Sequence, residues 1–227
     1  MENNIKEVVG TLLAARQYVY SLFHTLLGTE PTAEILAAAS SKESLQTVAL
    51  FDSEDSGAAK ALTAALTRAQ GLDAAGVDSI RMEYTRLFLG PEDLPAPPWE
   101  SVYMTKERAI FQESMLVVRG WFQKYGYLPA GYPNYPDDHV SLLTHFIALT
   151  SELAAAHLEA GDMDKLCEVL RDQQSFIQHH MLNWFSRYAE DMGKSETDLF
   201  YPALARAMAD FAAADAGLLD EMLACVA

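Results

Sequence analysis

Apolar side chains recur along most of this chain at intervals of three and four residues, the spacing that places them on one face of an α-helix. The alternation of β-branched and polar residues that is typical of half-buried strands is scarce. The first stretch runs from Ile5 to Leu27, and its apolar stripe comprises Val9, Leu12, Leu13, Tyr20, Phe23 and Leu27. Half of the 227 residues are hydrophobic, so the chain can bury a substantial core. We therefore predict an all-α protein, a single helical-bundle domain of about ten helices.

Two stretches rich in proline and glycine interrupt the helical pattern. The loop formed by residues 89–99 contains four of the nine prolines, which should hold it extended and stiff because proline fixes φ and restricts the residue before it. Residues 126–136 combine two glycines and three prolines with three tyrosines, and we predict that they form a hinge. The predicted organisation is an N-terminal helical half, 1–125, then this hinge, then a C-terminal helical half, 137–227.

The pattern also suggests where individual helices begin and end. After the proline-rich loop, a helix is expected to resume near Lys106 and to continue to Tyr125. In the C-terminal half, breaks near Gly161, Gly193 and Gly217 would divide the chain into roughly four or five helices.

The charge balance argues against nucleic acids and anionic membranes as partners. Lys and Arg total 16 whereas Asp and Glu total 32, so the formal net charge is −16, and such a chain repels phosphate groups. No apolar run approaches the roughly 20 residues that cross a bilayer, and the first residues lack the basic and apolar regions of a secretory signal. We expect a cytoplasmic protein without stable membrane insertion, in which Cys167 and Cys225 are reduced.

Sequence signatures of catalysis, nucleotide binding and metal binding are absent from the chain. It contains no phosphate-binding glycine loop, no nucleophile elbow and no paired zinc-ligand motif. His179 and His180 are adjacent, so on a helix their side chains point about 100° apart and are poorly placed to ligate one metal ion. We therefore predict a protein that is not an enzyme and that binds no cofactor and no metal.

The segment Glu83–Tyr103 is the most informative part of the chain. The end of an apolar helix leads into the proline-rich loop, which displays Trp99 and is followed closely by Tyr103. A loop that is ordered before binding loses less entropy when it receives a peptide, and Trp and Tyr are enriched at binding hot spots. One interpretation is a peptide-binding surface; the other is that Trp99 simply pins the loop to the core.

A second informative stretch, Tyr135–Val140, stands just before an apolar helix. A proline followed by Asp137 is a helix-start signal, which predicts Asp137 as the N-cap and places Asp138 and His139 in the first turn. A carboxylate there favours the helix dipole, which is a purely structural role. An Asp and a His at a buried edge could also bind guanidinium groups or orient a peptide. In a third stretch, Phe176–Phe185, the aromatic residues are predicted to be helix contacts in the core.

Together these three stretches resemble the TorD/DmsD/NarJ family of cytoplasmic chaperones for molybdenum-cofactor oxidoreductases, and most closely its DmsD branch. The resemblance rests on E-Y-x-R-L-F-x-G-P at 83–91, P-P-W-x-S-V-Y at 97–103 and P-x-D-H at 136–139. A late element at 180–184 reads H-M-L-N-W, one residue shorter than the approximate H-x-L-x-x-W pattern of the family. In the order of its predicted helices, the chain resembles the family over nearly its whole length.

The resemblance implies a chaperone that binds the twin-arginine signal peptide of a molybdoenzyme catalytic subunit and delays export until cofactor insertion and folding are complete. It also implies a monomer or a homodimer in which helices are exchanged through the hinge. Carried over position by position, the peptide-binding residues are Leu87, Phe88, Pro98, Trp99, Ser101, Tyr103, Asp138 and His139. Some relatives are described as binding GTP weakly, but this chain has no phosphate loop, so no nucleotide is assigned.

On this hypothesis, the proline-rich loop and the stretch Tyr135–Val140, together called the two loops below, form the two halves of one groove. Phe88 and Trp99 would take the apolar part of the leader, and Asp138, with Glu100 or Asp137, would pair with its arginines. Three alternatives stay open. A NarJ-like assembly factor for a membrane-anchored nitrate reductase would share the fold but bind a segment without a functional export signal. A helical nucleotide- or metal-dependent hydrolase would need ligands that the spacing does not provide, and a helical scaffold would leave the Pro-Pro-Trp segment without a role.

Overall fold

The structure is a computed structural model that describes residues 2–52, 57–90, 93–131 and 134–226, with the side chains of residues 2–4 excepted. Pro91 and Glu92 of the proline-rich loop and Tyr132 and Pro133 of the predicted hinge lie outside these ranges. The α-helices are α1 (Glu2–Gly28), α2 (Ala33–Ala39), α3 (Lys42–Ala49), α4 (Ala58–Thr67), α5 (Ala74–Tyr84), α6 (Glu100–Met104), α7 (Glu113–Lys124), α8 (Val140–Ala160), α9 (Met163–His180), α10 (Phe185–Gly193) and α11 (Tyr201–Val226). A π-helical turn, Thr85–Leu89, extends α5. None of the described helices is both long and apolar enough to cross a membrane.

The predicted all-α class is confirmed, and the helices share a common core. Helices α1 and α8 pack along each other, α8 also contacts α9, and α11 packs against α4, α9 and α10. Residues from both sides of the 126–136 segment contribute to the core, and its buried aromatic members include Phe23, Phe146, Phe176 and Phe211. The division into two halves joined by a hinge stays a prediction.

A fully buried polar network crosses this core. The guanidinium of Arg16 on α1 donates to the two carboxylate oxygens of Asp215 on α11 at 2.6 and 2.9 Å, and to Oε1 of Gln173 on α9 at 2.6 Å. Tyr20 donates to Asp215 at 2.8 Å, and Gln173 donates to Thr150 on α8 at 2.9 Å. A buried charge must be neutralised and hydrogen-bonded. The partners of Arg16 and Gln173 lie on different helices, so the network fixes the relative positions of α1, α8, α9 and α11. Hydrophobic periodicity did not reveal it.

Two of the three glycine breaks predicted in the C-terminal half are confirmed, and the third is wrong. Gly161 ends α8 with φ of 74°, in the left-handed region that favours glycine, and Gly193 ends α10. Gly217 lies inside α11. A glycine within a helix costs about 1 kcal/mol, and the burial of Leu219 and Met222 on the same helix outweighs that cost.

The helix expected to resume near Lys106 is also placed incorrectly. A short helix, α6, forms directly after Trp99, and the long helix, α7, begins only at Glu113. Between them, Arg108 and Phe111 have φ of 48° and 62°. A right-handed helix cannot continue through residues in the left-handed region, so the two helices are separate.

Candidate functional site

The proline-rich loop and the segment before α8 run side by side. The amide of Val140 donates to the carbonyl of Pro98 at 2.8 Å, and an isolated antiparallel bridge joins Trp99 to His139. The rings of Trp99 and His139 make an edge contact, with centroids 5.4 Å apart. The two stretches that stand out in the sequence are therefore neighbours in the fold.

Asp138 connects this segment to the start of α6. Its carbonyl accepts a hydrogen bond from the amide of Glu100 at 3.1 Å, and its Oδ2 accepts one from the amide of Ser101 at 2.8 Å. Both amides lie in the first turn of α6, where the helix itself supplies no acceptor. Burial raises the pKa of Asp138, and its hydrogen bonds with Ser101 oppose that rise. Asp138 therefore caps a helix that is distant from it in the sequence.

His139, and not Asp137, is the N-cap of α8. The helix begins at Val140, two residues later than predicted, so Asp138 and His139 precede its first turn instead of lying within it. Nδ1 of His139 accepts a hydrogen bond from the amide of Ser141 at 3.2 Å. Burial lowers the pKa of His139 to about 3, so the ring is neutral and Nδ1 can act as an acceptor. The prediction for Asp137 is wrong because its carboxylate is turned to Arg119 on α7.

Replacing His139 with asparagine is expected to make the protein less sensitive to mild acid. The pKa of an unfolded histidine is about 6.5, well above the value of about 3 in the folded protein, so the unfolded chain binds one proton more between these values. The corresponding stability is complete above a pH of about 6.5 and is lost as the pH falls, by about 1.4 kcal/mol per pH unit. Asparagine is a good N-cap that does not titrate.

Urea unfolding of the two proteins from about pH 7.5 to about pH 5 measures this difference. Burial also raises the pKa of Asp138 and of Glu100, which stabilises the folded protein as the pH falls. Both groups are present in the two proteins, so their contributions cancel in the comparison. Parallel curves of stability against pH would contradict a neutral, buried His139.

The third stretch meets the first through a buried acid–histidine pair. Nδ1 of His180, at the end of α9, lies 3.1 Å from both carboxylate oxygens of Glu100. Burial raises the pKa of Glu100, and the hydrogen bond with His180 opposes the rise. Trp184 donates to the carbonyl of His180 at 2.7 Å and stacks on Tyr103, with centroids 5.2 Å apart. The predicted core position of Trp184 is confirmed, whereas helical spacing alone did not show that His180 faces Glu100.

Leu87 and Phe88 lie in the π-helical turn after α5. Leu87 is completely buried, and Phe88 is nearly so. The ring of Phe88 stacks on Tyr84, with centroids 4.7 Å apart, and meets Tyr201 of α11 edge-on at 5.2 Å. Turns of this type often occur at functional sites, but here both side chains face the interior.

Glu83, which begins the same motif, has a role that the sequence did not indicate. Its carboxylate accepts hydrogen bonds from the amides of Leu199, Phe200 and Tyr201 at 2.9, 2.8 and 2.9 Å, and from the hydroxyl of Thr197 at 2.5 Å. These groups lie at the N-terminus of α11, where amides lack helical partners and the helix dipole favours a negative charge. The carboxylate of Glu83, on α5, therefore caps the N-terminus of α11.

Accessibility separates Trp99 from the other predicted peptide-binding residues. Trp99 is only partly buried, and its indole N–H has no hydrogen-bond partner among the described residues. The other predicted residues are buried: Leu87, Phe88, Pro98, Ser101, Tyr103, Asp138 and His139. Those that meet at the junction of the two loops are Pro98, Trp99, Ser101, Asp138 and His139. Their role in peptide binding stays a prediction.

Comparison with known proteins gives consistent similarities. A family model described as nitrate reductase delta subunit matches residues 50–190, a range that includes every predicted peptide-binding residue. The probable Tat proofreading chaperone DmsD of Haemophilus influenzae is 33% identical over 127 residues, and the Tat proofreading chaperone DmsD of Salmonella typhimurium is 32% identical over 127 residues. Each match covers 56% of this chain and 55% of the relative, so the chain spans about half the length of these curated relatives.

Two further similarities extend over most of the chain. The chaperone protein TorD of Aliivibrio fischeri is 25% identical over 210 residues, which are 90% of this chain and 94% of that protein. Among solved structures, a protein described as a redox enzyme maturation protein from Archaeoglobus fulgidus superposes with a TM-score of 0.50 at 21% identity. The superposition covers 86% of this chain and 92% of that structure, and it supports the fold alone.

Proposed function

As this chain belongs to the nitrate reductase delta subunit family, the family of the TorD, DmsD and NarJ proteins, we propose that it is a redox-enzyme maturation chaperone. The proposed client is the catalytic subunit of a molybdenum-cofactor oxidoreductase, which the chaperone binds through the twin-arginine signal peptide. Binding delays export of the client until its cofactor is inserted and its fold is complete. The names of the DmsD and TorD relatives favour this function over a NarJ-like assembly factor and over a hydrolase.

The observation that carries the proposal is the position of Trp99 at the junction of the two loops. Trp99 as a residue is partly exposed, whereas its indole N–H is buried and has no partner among the described residues. An aromatic ring with one polar edge suits a peptide that offers apolar side chains and backbone carbonyls. A buried donor without an acceptor costs free energy, and a peptide carbonyl that reaches the indole would recover it.

Charge supports the same partner. The formal net charge of −16 attracts a leader that carries two arginines, and the encounter rate should fall as the salt concentration rises. The apolar stretch of the leader would contact Trp99, and its arginines would pair with carboxylates of the same two stretches, those of Asp138, Asp137 and Glu100.

The proposal also covers location and assembly. A chaperone that binds a signal peptide before export works in the cytoplasm, where the client is made. Neither nucleic acid nor stable membrane insertion is part of the proposed function. The chain acts as a monomer or as a homodimer in which the two copies exchange helices through residues 126–136. Light scattering coupled to size-exclusion chromatography distinguishes the two states.

Replacing Trp99 with alanine is expected to weaken binding of a synthetic twin-arginine leader peptide by at least about tenfold. The substitution removes the aromatic surface at the junction of the two loops and leaves the buried contacts of Asp138 in place. Isothermal titration calorimetry measures the affinity, and circular dichroism shows that the variant is folded.

Tyr18→Ala provides the matched control, because Tyr18 is an exposed aromatic residue on α1. Its binding should stay within about twofold of the wild-type value. If a folded Trp99→Ala protein bound the leader as tightly as the wild type, the candidate site would be wrong. If the wild-type protein did not bind the leader, the proposed function would be refuted.

A further inference from the structure

The carboxylate of Asp137, at the edge of the candidate site, is already paired with a guanidinium group, that of Arg119. Nε of Arg119, on α7, donates to Oδ2 of Asp137, the residue before Asp138. The side chain of Asp137 is 1% exposed, and that of Arg119 is 19% exposed. The carboxylate is therefore closed to solvent, and the arginine side chain beside it is mostly buried.

Of the carboxylates of Glu100, Asp137 and Asp138, which belong to the two stretches that meet at Trp99, that of Asp137 is the one that pairs with an arginine. Asp138 accepts a hydrogen bond from the backbone of α6, and Glu100 pairs with His180. Oδ1 of Asp137 is buried and has no hydrogen-bond partner among the described residues, and the same holds for Oδ1 of Asp138. Since a carboxylate can accept two parallel N–H bonds from one guanidinium, part of the accepting capacity of Asp137 is unused.

The burial of Asp137 determines what can replace Arg119. A buried carboxylate without a cation is strongly unfavourable, so Arg119 can leave only when another cation arrives. A second guanidinium restores the charge balance and can bind with two parallel hydrogen bonds. A lysine is less suitable, because its compact ammonium group is strongly hydrated and lacks the planar fork. Asp137 should therefore distinguish arginine from lysine.

We propose that Asp137 binds one guanidinium group of the twin-arginine leader, and that Arg119 occupies this position until the leader arrives. The inference rests on the proposed function and adds to it the residue that selects arginine. Arg119 is then an internal competitor that lowers the apparent affinity for the leader. Val118 and Phe122 of α7 are buried in the core, so the helix stays anchored when the arginine moves away.

Replacing Arg119 with glutamine tests this competition. The affinity for a synthetic twin-arginine leader peptide should rise about tenfold, because the peptide no longer has to displace an internal guanidinium. The affinity for the same peptide with two lysines should change by less than about twofold. Isothermal titration calorimetry at one salt concentration measures both. Arg81→Gln on α5 changes the net charge equally at an exposed ion pair, and it should leave both affinities unchanged.

Asp137→Asn gives the complementary test. This variant should lose the preference for the twin-arginine over the twin-lysine peptide, and adding Arg119→Gln should then have no further effect. The double variant buries no unpaired charge, so it keeps the test available if Arg119→Gln alone does not fold.

Different failures have different meanings. An unchanged preference in folded Asp137→Asn, or an unchanged or reduced affinity in folded Arg119→Gln, overturns the guanidinium site while Trp99→Ala still reports on the proposed function. If the wild-type protein does not bind the twin-arginine peptide, the proposed function fails and this inference fails with it.

Discussion

Replacing Arg16 with methionine is expected to lower the free energy of unfolding by about 3–5 kcal/mol, because it leaves an uncompensated charge in the core. Asp215 would keep Tyr20 as a donor but would lose both hydrogen bonds from the guanidinium. Gln173 and Ser151 would each lose a donor as well. Urea denaturation followed by circular dichroism measures the change.

Two further variants separate the charge from the packing. Combining Arg16→Met with Asp215→Leu removes both charges and should recover part of the loss, since buried ion pairs can often be replaced by apolar groups of similar volume. Arg86→Met removes an ion pair with Glu196, whose side chain is 87% exposed, and it should cost less than about 1 kcal/mol. A loss in Arg16→Met no larger than that in Arg86→Met would contradict the structural role of the network.

Replacing Glu83 with alanine is expected to lower the free energy of unfolding by about 3 kcal/mol, because hydrogen bonds to a charged group are strong and buried donors are left unpaired. The carboxylate serves the amides of Leu199, Phe200 and Tyr201 together. Without it, the first turn of α11 loses its cap and the favourable charge at its N-terminus. Thermal and urea unfolding both report the change.

The isosteric Glu83→Gln variant shows how much of this effect is due to charge. It keeps one carbonyl acceptor and should lose about half as much stability as Glu83→Ala. Glu196→Gln is the surface control, with an expected change within about 0.5 kcal/mol. If Glu83→Ala were as stable as this control, the cap would not contribute to folding.

The role of Glu83 affects how mutations in this motif are interpreted. Glu83, Leu87 and Phe88 all lie in the stretch that resembles the signal-peptide-binding family, yet the carboxylate is committed to α11 and both apolar side chains are buried. A variant at these positions could lose peptide binding because the fold is weakened. Trp99 is the more direct probe, because its side chain is partly exposed.

Local sequence signals predicted much of the fold but misplaced several boundaries. The apolar periodicity identified the helices, and proline predicted the irregular loop before α6. Helix starts at Glu113 and Val140 were missed, because φ at Arg108 and Phe111 and the cap at His139 depend on surrounding contacts. The bridge between residues 99 and 139 places the two stretches side by side, and the groove that they were predicted to form stays a prediction. The burial of most predicted site residues was not visible in the sequence.

The sequence by itself determined the all-α class and some of the helix interruptions, those at the proline-rich loop, Gly161 and Gly193, because helical periodicity and the conformational preferences of proline and glycine are local properties. Only the tertiary structure decided which polar groups are partners. Arg16 and Asp215 are 199 residues apart, and Glu83 and Tyr201 are 118 residues apart. Such pairs form because the packing of many helices buries both groups at once, and burial then requires each to be satisfied. The pairing of Asp137 with Arg119 arises in the same way, and it is the contact from which the selection of arginine is inferred.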